Sequence, residues 1–137
     1  MLRKGGKIEL LKSVALFAGC SKKELSDIAL IADELEFPAG TVLIVEGERG
    51  KQLFVLVEGS VDVAQGGKKI PTRGGTEVYG EISLLSGSPA TATVTTTTPA
   101  RALVIAPRDF KALLERAPSI QLRVLQSLSE RLAPHVI

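Results

Sequence analysis

Hydrophobic residues change their spacing twice along the chain, which separates two helical ends from a β-rich middle. In the first 35 residues, apolar positions recur at the three- and four-residue spacing of a helix face. From Glu36 to Ala106 they fall instead in short β-branched runs separated by glycine or proline, and helical spacing returns after Pro107. The pattern predicts a sandwich or barrel of short antiparallel strands between N-terminal and C-terminal helices.

Capping residues and prolines mark the helix boundaries. Ser21 and Glu24 have the spacing of a capping box, in which each side chain accepts a hydrogen bond from the other residue's backbone, so we expect a helix to begin there. A later helix is expected over 108–116, and a final helix from Ser119 towards Pro134. The predicted apolar faces are Leu10, Leu11, Val14 and Phe17 in the first helix, Leu25, Ile28, Ala29 and Ala32 in the second, and Ile120, Val124, Leu125, Leu128 and Leu132 in the last.

Glycine and proline divide the β-rich middle into strands. The glycine pairs at 66–67 and 74–75 predict turns, and Pro99 separates a threonine-rich segment at 93–98 from a strand at 101–105. Threonine's branched β-carbon suits the extended backbone, and its hydroxyl suits an exposed face. We therefore interpret the threonine run as a strand.

The composition fits one compact domain over 1–137. The chain has 137 residues, of which 45% are hydrophobic, and a chain of this length buries roughly two-thirds of its unfolded surface. The net charge is +2 and the basic residues are spread along the chain, so we do not expect nucleic-acid binding. No stretch approaches the roughly 18 apolar residues that a membrane span requires, so we expect no membrane contact by this chain itself. The single cysteine, Cys20, cannot form an internal disulfide, which favours a reducing compartment, the cytoplasm.

Residue sets for catalysis or metal binding are missing from the sequence. A metal-dependent jelly-roll enzyme would need several histidines and a carboxylate, whereas His135 is the only histidine. Cys20 precedes the expected helix cap, and the chain has no histidine besides His135 that could act as its base. We therefore expect no catalytic residues, no metal, no cofactor and no enzymatic activity.

Three segments of the chain resemble cyclic nucleotide-binding domains. Residues 79–92, Tyr-Gly-Glu-Ile-Ser-Leu-Leu-Ser-Gly-Ser-Pro-Ala-Thr-Ala, resemble the phosphate-binding cassette of that family. Two glycine-punctuated blocks upstream, at 37–50 and 53–63, resemble its paired strands. The likeness extends from about Leu10 to Leu132, and it is strong for the fold because the blocks occur in the family's order.

The resemblance implies a mainly β, α+β fold. We expect an antiparallel β-roll, or jelly roll, of short strands at 36–106, which contains the cassette at 79–92. N-terminal helices are expected at 1–35 and C-terminal helices at 107–137. A fold of this kind hosts several functions, so the function must be argued from the cassette residues.

The resemblance also implies a role for individual cassette residues. Gly80 matches the glycine of close backbone approach, and Glu81 matches the acceptor for the ribose 2′-hydroxyl. Ile82 and Ser83 match the amides at the start of the short helix, where unpaired N–H groups and the helix dipole favour an anion. Thr91 matches a second hydroxyl donor to the phosphate.

Ala90 departs from the family pattern, because it stands where the family places an arginine. That arginine makes a bidentate, charge-assisted contact with the cyclic phosphate. Hydrogen bonds to charged groups contribute roughly 1.5–3 kcal/mol each, so the missing contact is expected to cost about 2–5 kcal/mol, or on the order of 30- to several-thousand-fold in affinity. Arg73 and Arg101 are candidates to replace it.

Two functions remain open from the sequence. The first is a regulatory sensor domain that binds a cyclic nucleotide with weakened affinity for the phosphate, and we expect cAMP rather than cGMP as the ligand. Ligand binding would shift a conformational equilibrium that controls an effector protein or a covalently linked effector domain. The second is a degenerate, ligand-free member of the family that serves as a structural or protein-interaction module. Ala90 favours the second function, whereas Gly80, Glu81 and Thr91 favour the first. Adenine and guanine are not distinguished.

Overall fold

The computed structural model describes residues 2–49, 52–71, 78–80 and 87–132, with the side chains of 127, 128 and 130–132 excepted. Backbone contacts divide the chain into two compact units. The helical unit comprises Met1–Ala32 with Arg108–Ile137, and the β unit comprises Asp33–Pro107. Within the described residues, no helix combines the length and the hydrophobicity needed to cross a bilayer.

Four α-helices and one short 3-10 helix are described at the two ends of the chain. They are α1 (Lys4–Lys12), the 3-10 helix Ala15–Phe17, α2 (Lys22–Leu30), α3 (Pro107–Arg116) and α4 (Pro118–Leu132). The largest buried side chains of the helical unit include Leu11, Leu16, Phe17, Ile28, Phe110, Leu113 and Ile120. The rings of Phe17 and Phe110 meet edge to face, with centroids 6.2 Å apart, which is a favourable aromatic geometry.

The first helix is shorter than its hydrophobic pattern predicted. It ends at Lys12, where the Ser13 hydroxyl donates a hydrogen bond to the Leu10 carbonyl over 2.6 Å. Val14 then takes an extended backbone, and Phe17 lies in the 3-10 helix, yet both side chains are buried. The pattern therefore identified buried residues correctly but extended the helix too far.

The capping box predicted for the second helix is confirmed. The Ser21 N–H donates to Glu24 Oε1 over 2.7 Å, and the Glu24 N–H donates to Ser21 Oγ over 3.1 Å. The helix ends at Leu30, and Ala32 already belongs to the first strand. The prediction that Ala32 continues the helix face is therefore wrong, although Ala32 is buried.

In the described part of the chain, eight strands form two four-stranded sheets. They are β1 (Ala32–Phe37), β2 (Val42–Ile44), β3 (Leu53–Glu58), β4 (Val61–Gln65), β5 (Lys68–Ile70), β6 (Val78–Tyr79), β7 (Thr93–Thr96) and β8 (Ala100–Ile105). One sheet has the order β1-β8-β3-β6 and the other β2-β7-β4-β5. The β2–β7, β3–β6, β3–β8, β4–β5 and β4–β7 pairs are antiparallel. The predicted fold, an antiparallel β-roll with helices at both ends, is confirmed.

Apolar side chains from both sheets form the interior of the β unit. One buried cluster contains Leu56, Val61, Val94 and Ala100, and another contains Phe54, Ala102 and Val104. Leu43, Ile44 and Tyr79 pack against both clusters, so they join the two sheets. Tyr79 also pairs with Phe54 in the β3–β6 register, which fixes the end of β6 close to the interior.

The turn predicted at 66–67 connects β4 to β5. Gln65 pairs with Lys68, so the two glycines form a two-residue hairpin turn, and both have a positive φ, as such turns favour. Pro99 separates β7 from β8, as predicted, although β7 is shorter than the threonine run. The turn predicted at 74–75 lies outside the described residues.

Candidate functional site

A pocket of about 230 Å³ opens within the β unit. Its walls come from the β4–β5 hairpin, from β6 and the residue after it, and from the segment 90–94. Most of the lining is apolar: Ile44, Val63, Ile70, Val78, Ala92 and Val94. Gln65 and Thr91 bring polar side chains to this lining, and ligand pockets commonly combine a mainly apolar wall with a few polar groups.

The structure places three of the six predicted site residues on this one pocket. Gly80, Ala90 and Thr91 all line it. Gly80 follows β6, whereas Ala90 and Thr91 precede β7, so the two sheets bring together positions ten residues apart. The other three predicted residues, Glu81, Ile82 and Ser83, lie outside the described residues.

Gly80 occupies a position that only glycine fits. Its φ is +96°, and a β-carbon built there would lie 2.6 Å from the carbonyl oxygen of Gln52, just before β3. Residues with a side chain rarely adopt such a φ, and a β-carbon cannot approach a carbonyl oxygen that closely unless the backbone moves. The close approach is therefore made to the protein's own backbone, so packing within the β unit already explains this glycine.

Ala90 is held in the pocket wall by two backbone hydrogen bonds. Its N–H donates to the Glu48 carbonyl over 2.7 Å, and its carbonyl accepts from the Gly47 N–H over 2.8 Å. The residue is 8% exposed. Position 90, where the resemblance implies an arginine, is thus a buried, backbone-anchored point on the wall, occupied by a methyl group.

Arg101 does not line this pocket. Its guanidinium contacts two carboxylates instead: Nε lies 3.2 Å from Glu34, and Nη2 lies 3.1 Å from Glu58. It lines a different pocket of about 520 Å³ together with Phe37 and Pro38. The expectation that Arg101 could replace the missing arginine is therefore wrong, while Arg73 lies outside the described residues.

Among the described residues, no lysine or arginine side chain lines the candidate pocket. A phosphate placed against this part of the wall would rely on hydroxyl and backbone donors, which are weaker partners for an anion than a guanidinium. The backbone amides of Ile82 and Ser83, where the resemblance puts the phosphate, are outside the described part of the chain.

Sequence reasoning missed the role of Arg49. The Arg49 guanidinium donates through Nη1 to the Gly87 carbonyl, and Arg49 forms a β-bridge with Pro89. Its side chain lines a third pocket, of about 220 Å³, beside Ile44 and Gln52. No local signal in the sequence pointed to a partner 38 residues away.

Two side chains of the helical unit, Cys20 and Glu24, have shifted pKa values. Burial raises the pKa of Cys20 to about 11, and the Glu24 carboxylate adds to the rise. The Cys20 thiol therefore stays protonated at neutral pH, which makes it a poor nucleophile. A hydrogen bond from the Ser21 backbone, followed by one from the Ser119 side chain, lowers the pKa of Glu24. Within the described residues, no group of three or more His, Cys, Asp or Glu has a metal-binding arrangement.

Two solved structures share this fold. The N-terminal domain of a transcriptional regulator from Streptomyces coelicolor superposes with a TM-score of 0.81 at 26% identity, over 92% of this chain and 94% of that one. The regulatory domain of Toxoplasma gondii PKA, solved with cAMP, superposes with a TM-score of 0.76 at 22% identity, over 93% of this chain and 50% of that one. The second likeness, at this identity, concerns the fold alone.

Relatives found by sequence belong to larger proteins. A cyclic nucleotide-gated potassium channel of Rhizobium etli is 32% identical over 123 residues, which are 90% of this chain and 34% of the channel. A CRP-like cAMP-activated global transcriptional regulator of Mycobacterium tuberculosis is 26% identical over 129 residues, which are 90% of this chain and 58% of the regulator. The chain thus spans between a third and three-fifths of these relatives.

The family is assigned by a match to a family model. Residues 34–117, which include the whole candidate pocket, match the model of the cyclic nucleotide-binding domain. The matched range begins in β1 and ends just after α3. This chain therefore belongs to the cyclic nucleotide-binding domain family.

Proposed function

We propose that this chain is a regulatory sensor domain that binds a cyclic nucleotide in the pocket lined by Gly80, Ala90 and Thr91, with weakened affinity for the cyclic phosphate. The observation that carries the proposal is the convergence of these three cassette positions on one pocket. Membership of the family supplies the ligand class. The ligand arrives from solution, and the domain needs no cofactor, no metal and no catalytic group.

The phosphate is expected to sit at the end of the pocket nearest Ala90. The amides of Ile82 and Ser83 would donate to it, as the start of a helix does for anions, and the Thr91 hydroxyl would add one neutral donor. Glu81 would accept from the ribose 2′-hydroxyl. Gly80 contributes by letting the backbone turn tightly against Gln52, which leads the chain into the cassette.

Ala90 is the reason for the weakened affinity. A bidentate guanidinium contact made in the family is absent at this position, and we expect a loss of about 2–5 kcal/mol relative to a domain that has it. At the lower figure a micromolar site would become a roughly 30 μM site, and at the higher figure a millimolar one. Binding in the native chain is therefore expected between tens of micromolar and millimolar.

We propose cAMP before cGMP as the ligand. The Mycobacterium tuberculosis regulator is described as cAMP-activated, whereas a Drosophila melanogaster relative, 31% identical over 117 residues, is a cGMP-dependent protein kinase. The described lining offers Gln65 as a polar side chain for either base. The preference for cAMP therefore rests on the bacterial relative, and both nucleotides belong in the test.

The proposed sensor acts on an effector, either a separate protein or a covalently linked domain. The matched region of the channel and of the regulator is joined to further sequence in each protein. Ligand binding would shift a conformational equilibrium of the domain, and the effector would respond to that shift. We place the domain in the cytoplasm, do not expect it to bind nucleic acid or membrane itself, and assign it no enzymatic activity.

A ligand-free interaction module remains the second candidate. One observation favours it: within the described part of the wall, no cationic side chain faces the pocket. A module of this kind would keep Gly80 for packing against Gln52 alone. The two functions differ in a single measurable property, which is whether cyclic nucleotide perturbs the pocket.

Chemical-shift perturbation tests the proposed function in the weak-binding range. Increasing cAMP or cGMP, up to several millimolar, is added to the isotopically labelled chain, and the backbone amide signals are followed. We expect saturable shifts at Gly80, Ala90 and Thr91, with the amide of Lys12 in α1 as an internal reference. Equal concentrations of inorganic phosphate separate nucleotide binding from simple anion binding. No saturable shift at the pocket with either nucleotide would leave the ligand-free module as the function.

A further inference from the structure

The segment Glu46, Gly47, Glu48 and Arg49, here called the brace, contacts three parts of the pocket rim. Its first residue reaches two of them. Glu46 Oε1 accepts a hydrogen bond from the Gly66 N–H over 2.9 Å, and the Glu46 N–H donates to Thr93 Oγ1 over 3.0 Å. Gly66 follows the lining residue Gln65, and Thr93 lies between two lining residues of the other wall. The brace therefore ties the β4–β5 turn and the start of β7 to one segment.

The rest of the brace holds the chain that leads out of the cassette. Gly47 and Glu48 exchange backbone hydrogen bonds with Ala90 over 2.8 and 2.7 Å. Arg49 bridges to Pro89, and its guanidinium donates to the Gly87 carbonyl. Arg49 thus adds a charged side-chain contact with Gly87, next to the backbone hydrogen bonds that hold Ala90.

Packing contributes little to the position of the segment 87–89. All three residues are exposed, and a β-carbon built on Gly87 would meet no atom within 4 Å. The segment is hydrogen-bonded to the brace through the Gly87 carbonyl and bridged to it through Pro89, and a bond from a charged donor is roughly twice as strong as a neutral one. Loss of the Arg49 donor is therefore expected to loosen the segment 87–90.

We propose that Arg49 is a positioning residue of the ligand site. It clamps the segment 87–90 to the brace, so that Ala90 and Thr91 are presented to the pocket in one arrangement before a ligand arrives. A site ordered in advance does not lose affinity to the entropy of ordering its own wall on binding. The inference rests on the proposed function, because it requires that the pocket binds a cyclic nucleotide.

Arg49 acts through Gly87 and does not touch the ligand. Arg49 lines the pocket of about 220 Å³ and not the candidate pocket, whereas Ile44 lines both. Because Arg49 is not part of the candidate pocket lining, we do not assign it the phosphate contact that Ala90 lacks. Its substitution is thus expected to alter the order of the wall and to leave the chemistry of the lining unchanged.

Three single variants test the inference. Arg49→Met removes the donor and keeps a long apolar stem. Arg49→Lys keeps one charged donor for the Gly87 carbonyl, so it should keep most of the order of the segment 87–90. Lys69→Met is the matched control, because Lys69 is an exposed cation of the β4–β5 hairpin that pairs with Asp62 at 3.4 Å and lies outside the brace.

Two readouts are needed, one with ligand and one without. In the absence of ligand, amide hydrogen exchange at Ala90 is expected to be about tenfold faster in Arg49→Met, while Arg49→Lys and Lys69→Met stay within about threefold of the native chain. With cAMP, the dissociation constant from the shift titration should rise about five- to tenfold in Arg49→Met alone. The thermal unfolding midpoint should change by no more than about 2 °C in all three variants.

The ligand-free readout separates failure of this inference from failure of the proposed function. If cAMP binds but Ala90 exchange and cAMP affinity are the same in Arg49→Met as in the native chain, Arg49 is not a positioning residue. If Arg49→Met lowers both the unfolding midpoint and the cAMP affinity, and Arg49→Lys loses both to the same extent, Arg49 contributes to general stability. The inference is then overturned. If no variant binds cAMP, the proposed function fails, and faster exchange in Arg49→Met would then describe a structural clamp only.

Discussion

Substitution of Gly80 by alanine provides a quantitative test of how the pocket is built. The φ of Gly80 is +96°, and an added β-carbon would lie 2.6 Å from the Gln52 carbonyl oxygen. The positive φ costs a residue with a side chain about 1–2 kcal/mol, and forcing an atom into a space already filled adds about 1–3 kcal/mol. Gly80→Ala should therefore lower the free energy of unfolding by about 2–5 kcal/mol.

The matched control is Gly66→Ala in the β4–β5 turn. Gly66 also has a positive φ, +59°, but a β-carbon there would meet nothing within 4 Å. Its cost should be confined to the backbone term, about 1–2 kcal/mol. The difference between the two variants isolates the contact with Gln52 from the shared effect of a positive φ.

Urea unfolding of both variants, followed by circular dichroism, measures the two costs. Domains of this kind have total stabilities of about 5–15 kcal/mol, so Gly80→Ala should remain folded with a clearly lower midpoint. The reasoning is refuted if Gly80→Ala destabilises the chain no more than Gly66→Ala does. In that case the close backbone approach would not be a property of the folded β unit.

Three further predictions concern the helical unit. Hydrogen bonds lower the pKa of Glu24 from its ordinary value of 4.5, so its carboxylate should contribute stability that is fully present above pH 4.5 and is lost as the pH falls through the lower folded value. Urea unfolding between pH 7 and pH 3 should therefore show a smaller loss of unfolding free energy in Glu24→Gln than in the native chain. An equal dependence of the unfolding free energy on pH in both proteins would contradict this. The Cys20 thiol, with a pKa of about 11, should react with iodoacetamide at a rate that rises with pH beyond the ordinary range of a free thiol, and a plateau near pH 9 would contradict its burial. Phe110→Ala, which removes the edge-to-face contact with Phe17, should cost about 3–5 kcal/mol in urea unfolding, and a cost below about 1 kcal/mol would mean that the two rings do not share a packed core.

Local signals in the sequence predicted the parts of the fold that local interactions determine. The capping box of Ser21 and Glu24 depends on two residues three positions apart, and the hairpin turn at 66–67 depends on two adjacent glycines. In both cases the backbone conformation follows from the residues themselves. The end of the first helix was missed because Val14 and Phe17 are buried after the helix has ended, and burial continued the apolar pattern without continuing the helix.

Contacts between distant parts of the chain were beyond local reasoning. The resemblance placed Gly80, Ala90 and Thr91 in one site, and the structure brings these three to one pocket. It gave no means of foreseeing that Gly80 lies against the Gln52 carbonyl, or that Arg49 contacts Gly87 across 38 positions. Both contacts follow from strand pairing across the β unit, which is set by the whole core rather than by the residues involved.

The replacement of an arginine by Ala90 is the central claim about affinity, and two variants probe it. Ala90→Arg introduces the charged residue that the resemblance implies at this buried, backbone-anchored point of the wall. Ala92→Arg is the matched control. Ala92 lines the same pocket two positions further along the chain, so this variant adds the same charge at a different point of the wall. Salt is held constant across all titrations, since ionic strength alters electrostatic affinities.

Calorimetric titration of cAMP and cGMP into the native chain and these two variants is the most direct measurement. The account predicts that Ala90→Arg binds cAMP at least about tenfold more tightly than the native chain, and that Ala92→Arg gains less than about threefold. If neither the native chain nor Ala90→Arg binds either nucleotide, the pocket is not a cyclic nucleotide site. If both arginine variants gain equally, the phosphate does not sit beside Ala90, and the central claim is contradicted.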